Sequence, residues 1–180
     1  MSRQFPGPGE FGTDHVGLRR EQWARGLPDL DTVGMAVLGR ARWITLKVRP
    51  AIEAVFERYG LDTGEFDVVA TLLRSGPPYR LRPTELYQSL MISSGGLTNR
   101  LARLERAGLV RRVESGSDAR SLPVELTREG RATAEAAIRA DMECEAALLA
   151  GLGGEEQKAL GRLLCKLAMS LDRPPRGGPS

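Results

Sequence analysis

The segment from residue 84 to residue 130 constrains the fold more than any other part of the chain. It contains a short helix-like run, TELYQSL, a second one, SSGGLTNRLARLERAGL, and two strand-like runs joined by the polar turn ESGSDARS. Two helices separated by a turn and followed by a two-stranded hairpin form a winged helix-turn-helix, which presents its second helix to the major groove of DNA. The hairpin, or wing, would then reach phosphate or the minor groove. This order of elements predicts a DNA-binding protein.

Helical periodicity divides the second of these helices, predicted from Ser93 to Ala107, into two faces. Leu97, Leu101 and Leu104 share one side, which we expect to be buried. The other side would face DNA, where base contacts concentrate near the N-terminus of a recognition helix. The pair Gly95–Gly96 is unfavourable inside a helix, and it either lets backbone N–H groups approach a phosphate or marks a loose helix start. We expect DNA contacts from Ser94, Gly95, Thr98, Asn99 and Arg103.

Arginine is concentrated in the same region. The net charge of the whole chain is only +3, which would not by itself indicate a nucleic-acid partner. Between residues 100 and 120, however, six arginines (100, 103, 106, 111, 112 and 120) stand against three acidic residues (105, 114 and 118). The guanidinium group suits paired contacts with phosphate and guanine. The alternative interpretation is a solvated charged face.

The remaining pattern predicts a mostly α-helical protein with one hairpin. A short helix falls within residues 13–26 and a long one within 31–59, kinked at Pro50. Asp62 and Glu65 have the spacing of a capping box at the start of the next helix. Helices also follow Thr127 and Gly154, and the last one carries leucines at positions 160, 163, 164, 167 and 171.

Composition and motifs exclude several other classes of protein. His15 is the single histidine and is expected at the surface, so histidine-rich metal sites and histidine-dependent catalytic triads are excluded. Cys144 and Cys165 are too few for a disulfide framework and are expected to be inert core thiols. No phosphate-binding glycine loop or nucleophile elbow is present, so we predict no enzyme activity and no cofactor. No membrane span or signal peptide is evident, so we expect a cytoplasmic protein with no membrane partner.

Three segments of the sequence together resemble the MarR family of winged-helix transcriptional regulators. They are LTNRLARLERAGLVRR, SDAR and VELTREGR, and the resemblance covers roughly residues 30 to 171. Members of that family are dimers whose N- and C-terminal helices interleave, so the resemblance implies a homodimer. In the family, the wing arginine enters the minor groove, a role that falls on Arg120 here. Asp118 would hold Arg120 in place through a charge-assisted hydrogen bond.

The predicted fold is mostly α, a winged helix-turn-helix with long N- and C-terminal dimerisation helices and an extra N-terminal helix. Five segments follow from this. They are a disordered N-terminus (1–12), N-terminal and dimerisation helices (13–60), a winged helix-turn-helix DNA-binding region (61–130), C-terminal dimerisation helices (131–172) and a disordered tail (173–180).

Arg100 departs from the pattern of a plain recognition helix. Its place between Leu97 and Leu104 puts it on the inward half, where a guanidinium must be paired or bind an anion. Asp67, in the helix EFDVVATLL, is an acid without an evident partner and is the obvious candidate to pair with it. The alternative is that Asp67 is an ordinary surface acid near a helix N-terminus.

The runs EFDVVATL, GPPYRLRPTELY, SSGGLTNR and LVRR, together with REQWARG near the N-terminus, are similar to the urate-responsive branch of the MarR family. That branch carries an extra N-terminal helix with a tryptophan, and its relatives respond to urate, other purines or small carboxylates such as trans-aconitate. The resemblance implies a ligand set of Trp23, Asp67, Arg100 and Arg112. Trp43 is an alternative to Trp23, although its place on the long helix is more typical of a core residue.

These observations support two hypotheses of different classes. The first is a dimeric repressor that binds a pseudo-palindromic operator in double-stranded DNA and leaves it when a small anionic effector, a urate-like purine or a carboxylate, binds. The second is a regulator that uses its winged helix for protein contacts, or senses oxidants through cysteine, without a small-molecule site. Arg120 and the exposed Asn99 favour the first.

Overall fold

The computed structural model describes residues 7–90, 96–113 and 122–172. This part of the chain contains seven α-helices and a small antiparallel sheet, which confirms the mostly α fold class with its winged helix. The chain divides into two compact units, Met1–Ala54 and Val55–Ser180. The predicted disordered tail, and residues 1–6 of the predicted disordered N-terminus, lie outside the described residues.

The first unit is built from α1 (His15–Gly26) and most of α2 (Arg40–Glu57), which follows a π-helical turn at Met35–Gly39. Asp14 caps α1, because its Oδ1 accepts a hydrogen bond from the Gly17 N–H at 2.9 Å. The same carboxylate accepts hydrogen bonds from the Arg40 guanidinium, which, with the backbone donors, lowers the pKa of Asp14 to about 2. The helix continues through Pro50.

Residues 8–11, which were predicted to belong to a disordered N-terminus, form a turn of 3-10 helix, Pro8–Phe11. Arg20 of α1 explains this difference. Its side chain is only 1% exposed, and its guanidinium carbon lies 5.0 Å from the centroid of the Phe11 ring. The guanidinium also donates to the backbone oxygens of Thr32, at 3.1 Å, and Gly7, at 3.5 Å. One buried cation therefore holds this segment against α1.

The second unit is organised around α3 (Thr63–Arg74), whose Val68, Val69 and Leu72 are fully buried. This helix packs against α4 (Pro83–Ser89), α5 (Leu97–Arg106) and α6 (Arg128–Leu148). The predicted capping box at its start is confirmed. The Glu65 N–H donates to Asp62 Oδ1 at 2.7 Å, and the Asp62 N–H donates to Glu65 Oε2 at 2.9 Å.

Three short strands form the sheet in the order β1–β3–β2, with both pairs antiparallel: β1 (Arg80–Leu81), β2 (Val110–Arg112) and β3 (Val124–Leu126). The hairpin of β2 and β3 was predicted, whereas β1 was not, because two residues carry no periodicity. Thr127 caps α6 as predicted, since its Oγ1 accepts from the Gly130 N–H at 2.9 Å. A Cβ at Gly130 would lie 1.8 Å from the Leu109 carbonyl oxygen, so only glycine fits there.

The recognition helix α5 is shorter than predicted. It begins at Leu97 rather than at Ser93, and Gly96 immediately before it has a φ of 80°. This left-handed conformation favours glycine and cannot continue a right-handed helix. Gly96 therefore marks the helix boundary, which agrees with the alternative that this glycine pair marks a helix start.

Two expectations about individual side chains were wrong for the single chain. Trp43, expected in the core, is 42% exposed, and its ring centroid lies 4.5 Å from that of the half-buried His15. Cys165, expected to be a core thiol, is exposed on α7 (Gly154–Leu171), while Cys144 is half-buried. None of the 18 residues of α7 is buried, because no element among the described residues covers its leucine stripe.

Candidate DNA-binding surface and ligand site

The exposed side of α5 forms a polar surface together with α4. Leu97, Leu101 and Leu104 are 8%, 2% and 1% exposed, which confirms the predicted inward seam. Thr98 and Asn99 consequently face solvent in the first turn of the helix. They line a cavity of about 460 Å³ with residues of α4, among them Thr84, Tyr87 and Gln88. Hydroxyl and amide groups here could donate to or accept from base edges and phosphates.

Four of the predicted DNA contacts lie outside the described residues. In the sequence, Ser94 and Gly95 come before α5, and Asp118 and Arg120 come between β2 and β3. Their roles stay predictions from the sequence. The elements on either side of them, α4 with α5 and β2 with β3, are the ones that a winged helix-turn-helix requires.

A buried carboxylate fixes the root of the wing. Glu125, in the centre of β3, is 7% exposed and lies opposite Arg80 in β1 and Arg111 in β2. The Arg80 Nε donates to Glu125 Oε2 at 2.6 Å, and the Arg111 Nε donates to Oε1 at 3.2 Å. The Arg111 hydrogen bond, aided by Arg80 and opposed by burial, holds the pKa of Glu125 below its ordinary value. An acidic residue between two apolar strand residues, VEL, was the sequence signal for this site.

Arg103 has intramolecular partners that the sequence did not predict. Its guanidinium forms ion pairs with Asp62 and with Glu65, the latter at 2.8 Å between Nε and Oε1. Burial acts to raise the pKa of Asp62, but the Glu65 N–H and the Arg103 charge outweigh it, so this pKa lies below its ordinary value. The Arg103 side chain stays 48% exposed. Arg103 therefore joins the recognition helix to the first turn of α3.

Asp67 and Arg100 lie on two helices in contact, α3 and α5. Asp67 is 6% exposed, so the alternative of an ordinary surface acid is wrong. Arg100 lies directly on the backbone of α3, because a Cβ at Gly64 would be 2.2 Å from its Nε. Both side chains have interactions within the protein. Their pairing with each other stays a prediction from the sequence.

The other two residues of the predicted ligand set are placed differently. Arg112 is exposed in β2, with its Nε 3.9 Å from Glu105 Oε2, a distance that makes a weak ion pair at most. Trp23 is 43% exposed on α1 and belongs to the first unit. The second unit thus contains the three charged members of the set, and the first unit contains the aromatic one.

Two further properties bear on function. Within residues 7–90, 96–113 and 122–172, no cluster of three or more histidine, cysteine or acidic side chains could hold a metal ion. None of the helices in these ranges is long and apolar enough to cross a membrane.

Comparison with known families and curated proteins points to one group. A model described as MarR family matches residues 59–121. The HTH-type transcriptional regulator PecS of Dickeya dadantii is 38% identical over 151 residues, which are 84% of this chain and 91% of PecS. The HTH-type transcriptional repressor Rv2887 of Mycobacterium tuberculosis is 35% identical over 120 residues, which are 67% of this chain and 84% of that protein.

Solved structures agree with this grouping. A MarR-like transcription regulator from Bacillus cereus superposes with a TM-score of 0.68 at 21% identity, over 77% of this chain and 98% of its own. Rv2887, crystallised in complex with p-aminosalicylic acid, gives a TM-score of 0.59 at 30% identity, over 73% of this chain and 98% of its own.

Proposed function

Because the chain belongs to the MarR family of transcriptional regulators, we propose that it is a homodimeric, cytoplasmic repressor that a small anion releases from a pseudo-palindromic operator. It is a DNA-binding regulator and not an enzyme. One observation carries the proposal. The first turn of α5 exposes Thr98 and Asn99, while the leucines behind them are buried and set the helix on α3.

In this proposal each DNA contact has a distinct role. The Asn99 amide suits paired hydrogen bonds with an adenine edge, and Thr98 suits a base or a phosphate. Ser94 and Gly95 approach the phosphate backbone just before the helix begins. Arg120 enters the minor groove from the wing and is held there by Asp118. Arg103 supports DNA binding by orienting α5 through Asp62 and Glu65.

Replacing Arg120 with alanine should weaken DNA binding by about 1–3 kcal/mol, roughly 5- to 150-fold, because a groove contact is lost. The slope of log affinity against log salt should fall by about one, since one cation that displaces counterions from the minor groove is removed. The measurement is fluorescence anisotropy on DNA taken from upstream of the protein's own coding sequence. Arg139→Ala, at an exposed position of α6, is the matched control. Equal affinities of parent and Arg120→Ala would remove the wing from the mechanism.

The proposed dimer rests on the state of α7 in the single chain. Most of the stability of a helix in a protein comes from packing of its apolar face, yet α7 has no buried residue of its own. Leu163 and Leu164 are 65% and 50% exposed, and Leu171 is 72% exposed. An apolar stripe of this kind is typical of a subunit interface. A second copy of the chain, offering the same stripe, would bury it.

Sedimentation equilibrium should show a dimer for the parent protein at micromolar concentration. Leu163→Glu should yield a monomer, because the substitution changes nothing buried within one chain but places a charge in the apolar interface. Lys166→Glu, also exposed on α7, is the control and should stay dimeric. A parent protein that sediments as a stable monomer would rule out the dimer.

The proposed effector site uses Asp67, Arg100, Arg112 and Trp23. The guanidinium of Arg100, half-buried on the recognition helix, is suited to binding an anion, and the Trp23 ring is suited to stacking on a planar one. The complex of Rv2887 with p-aminosalicylic acid, a small aromatic carboxylate, supports this ligand class for a relative. We also propose that the chain belongs to the urate-responsive branch of the family, which adds urate and related purines to the candidate effectors.

Competition for Arg100 would link this site to DNA. We propose that Arg100 and Asp67 interact in the DNA-binding state and that an incoming anion takes over the guanidinium and repels Asp67. Because Arg100 lies on α5, its displacement moves the DNA-reading face relative to α3. A ligand shifts such an equilibrium only if it binds the two states with different affinity, and this competition supplies the difference.

Arg100→Ala should raise the anion concentration needed to release DNA by about tenfold or more, while changing DNA affinity less than that. Asp67→Asn should weaken the DNA-bound state or blunt the response. The measurement is release of labelled DNA by urate, salicylate and trans-aconitate. Identical release curves for the parent and both variants would contradict the switch. Release by peroxide alone, abolished by replacing Cys165, would support cysteine-based sensing instead.

A further inference from the structure

A cavity of about 450 Å³ lies at the root of the wing, away from the predicted ligand set. It opens where β3 passes into α6, and we call it the wing-root cavity. Its volume is within the usual range for small-molecule sites. Its polar lining comes mainly from Tyr79, Arg111, Glu125, Arg128 and Arg131.

The charges around the wing-root cavity do not cancel. Its single acidic lining residue, Glu125, is bound on both oxygens by Arg80 and Arg111, which leaves that group with one excess positive charge. Arg131 is balanced by Glu135, with 2.7 Å between Nε and Oε1. Arg128 is exposed at the rim and forms no ion pair with the described residues. The cavity therefore has an excess of guanidinium charge on groups that bind oxyanions in pairs of hydrogen bonds.

Tyr79 is held in an unfavourable conformation at this cavity. Its φ is 60°, and among the described residues it is the one non-glycine residue with a positive φ. Its carbonyl accepts from the Leu126 N–H at 3.1 Å, which ties it to β3. The Arg131 guanidinium covers its ring at 4.7 Å from the centroid. Glycine would adopt this backbone conformation without strain, so a tyrosine at this position points to a function of its side chain.

We propose that the wing-root cavity is a second anion site, which binds a small oxyanion of the phosphate or carboxylate class through Arg128 and Arg111, with Arg131 and Tyr79 forming its wall. The cavity shares no residue with the set Trp23, Asp67, Arg100 and Arg112. Binding here does not depend on operator recognition or on a ligand at α3 and α5. The free protein is therefore the right material for the test.

The experiment is isothermal titration of the full chain with inorganic phosphate, without DNA and at constant ionic strength. We expect one millimolar-range site per chain in the parent and in Arg139→Ala, an exposed arginine of the same helix outside the cavity. Arg128→Ala should weaken binding about tenfold or more, because a charge-assisted hydrogen-bond donor is lost. Tyr79→Gly should weaken binding and at the same time raise the melting temperature, since glycine tolerates the left-handed backbone.

Equal phosphate affinity in all four proteins, or no binding to the parent, would overturn the proposal. If the free protein binds no phosphate but Arg128→Ala lowers the salt slope of DNA binding by about one, the arginines contact the DNA backbone instead. Arg128→Ala alters an exposed side chain, so this variant should fold. Its phosphate affinity tests the proposal even if Tyr79→Gly does not fold.

Discussion

The contact between the first turn of α3 and the recognition helix determines where the DNA-reading face lies. Burial of the leucine seam provides most of the free energy that holds α5 against α3, at about 1.5–3 kcal/mol for each buried side chain. Apolar contacts of this kind are not directional. The side chain of Arg103 is half-exposed, so its ion pairs with Asp62 and Glu65 add little energy. Hydrogen bonds between charged groups are directional, however, and two of them on one guanidinium restrict the rotation of the helix about its axis. Gly64 lets Arg100 lie on the same turn. Leucine burial therefore keeps α5 on α3, and the ion pairs of Arg103 set its orientation.

The same two carboxylates also begin α3. Asp62 and Glu65 satisfy the free N–H groups of the first turn and bind Arg103 with their remaining oxygens. A substitution in this turn would consequently affect both the N-terminal cap of α3 and the position of α5. The proposed effector residues Asp67 and Arg100 lie within a turn of these contacts, which gives an anion a short route to the DNA-reading face. No long pathway through the protein is needed.

Local features were predictable from the sequence, and distant pairings were not. The capping box of Asp62 and Glu65, the cap at Thr127 and the seam from Leu97 to Leu104 involve residues three to seven positions apart, so their spacing carries the information. Arg103 meets Asp62 across 41 positions and Arg80 meets Glu125 across 45, and no spacing rule covers such pairs. Strand β1 was missed for the same reason, since it forms only by pairing with β3.

The most direct measurement is the DNA affinity of a variant that removes only charge from the first turn of α3. Asn and Gln preserve the cap at these positions, so Asp62→Asn with Glu65→Gln should leave the melting temperature close to that of the parent. If the carboxylates aim α5 through Arg103, DNA affinity should fall about tenfold with an unchanged salt slope, because no phosphate contact is lost. Unchanged affinity, or tighter binding with a steeper slope from a released Arg103, would contradict this account.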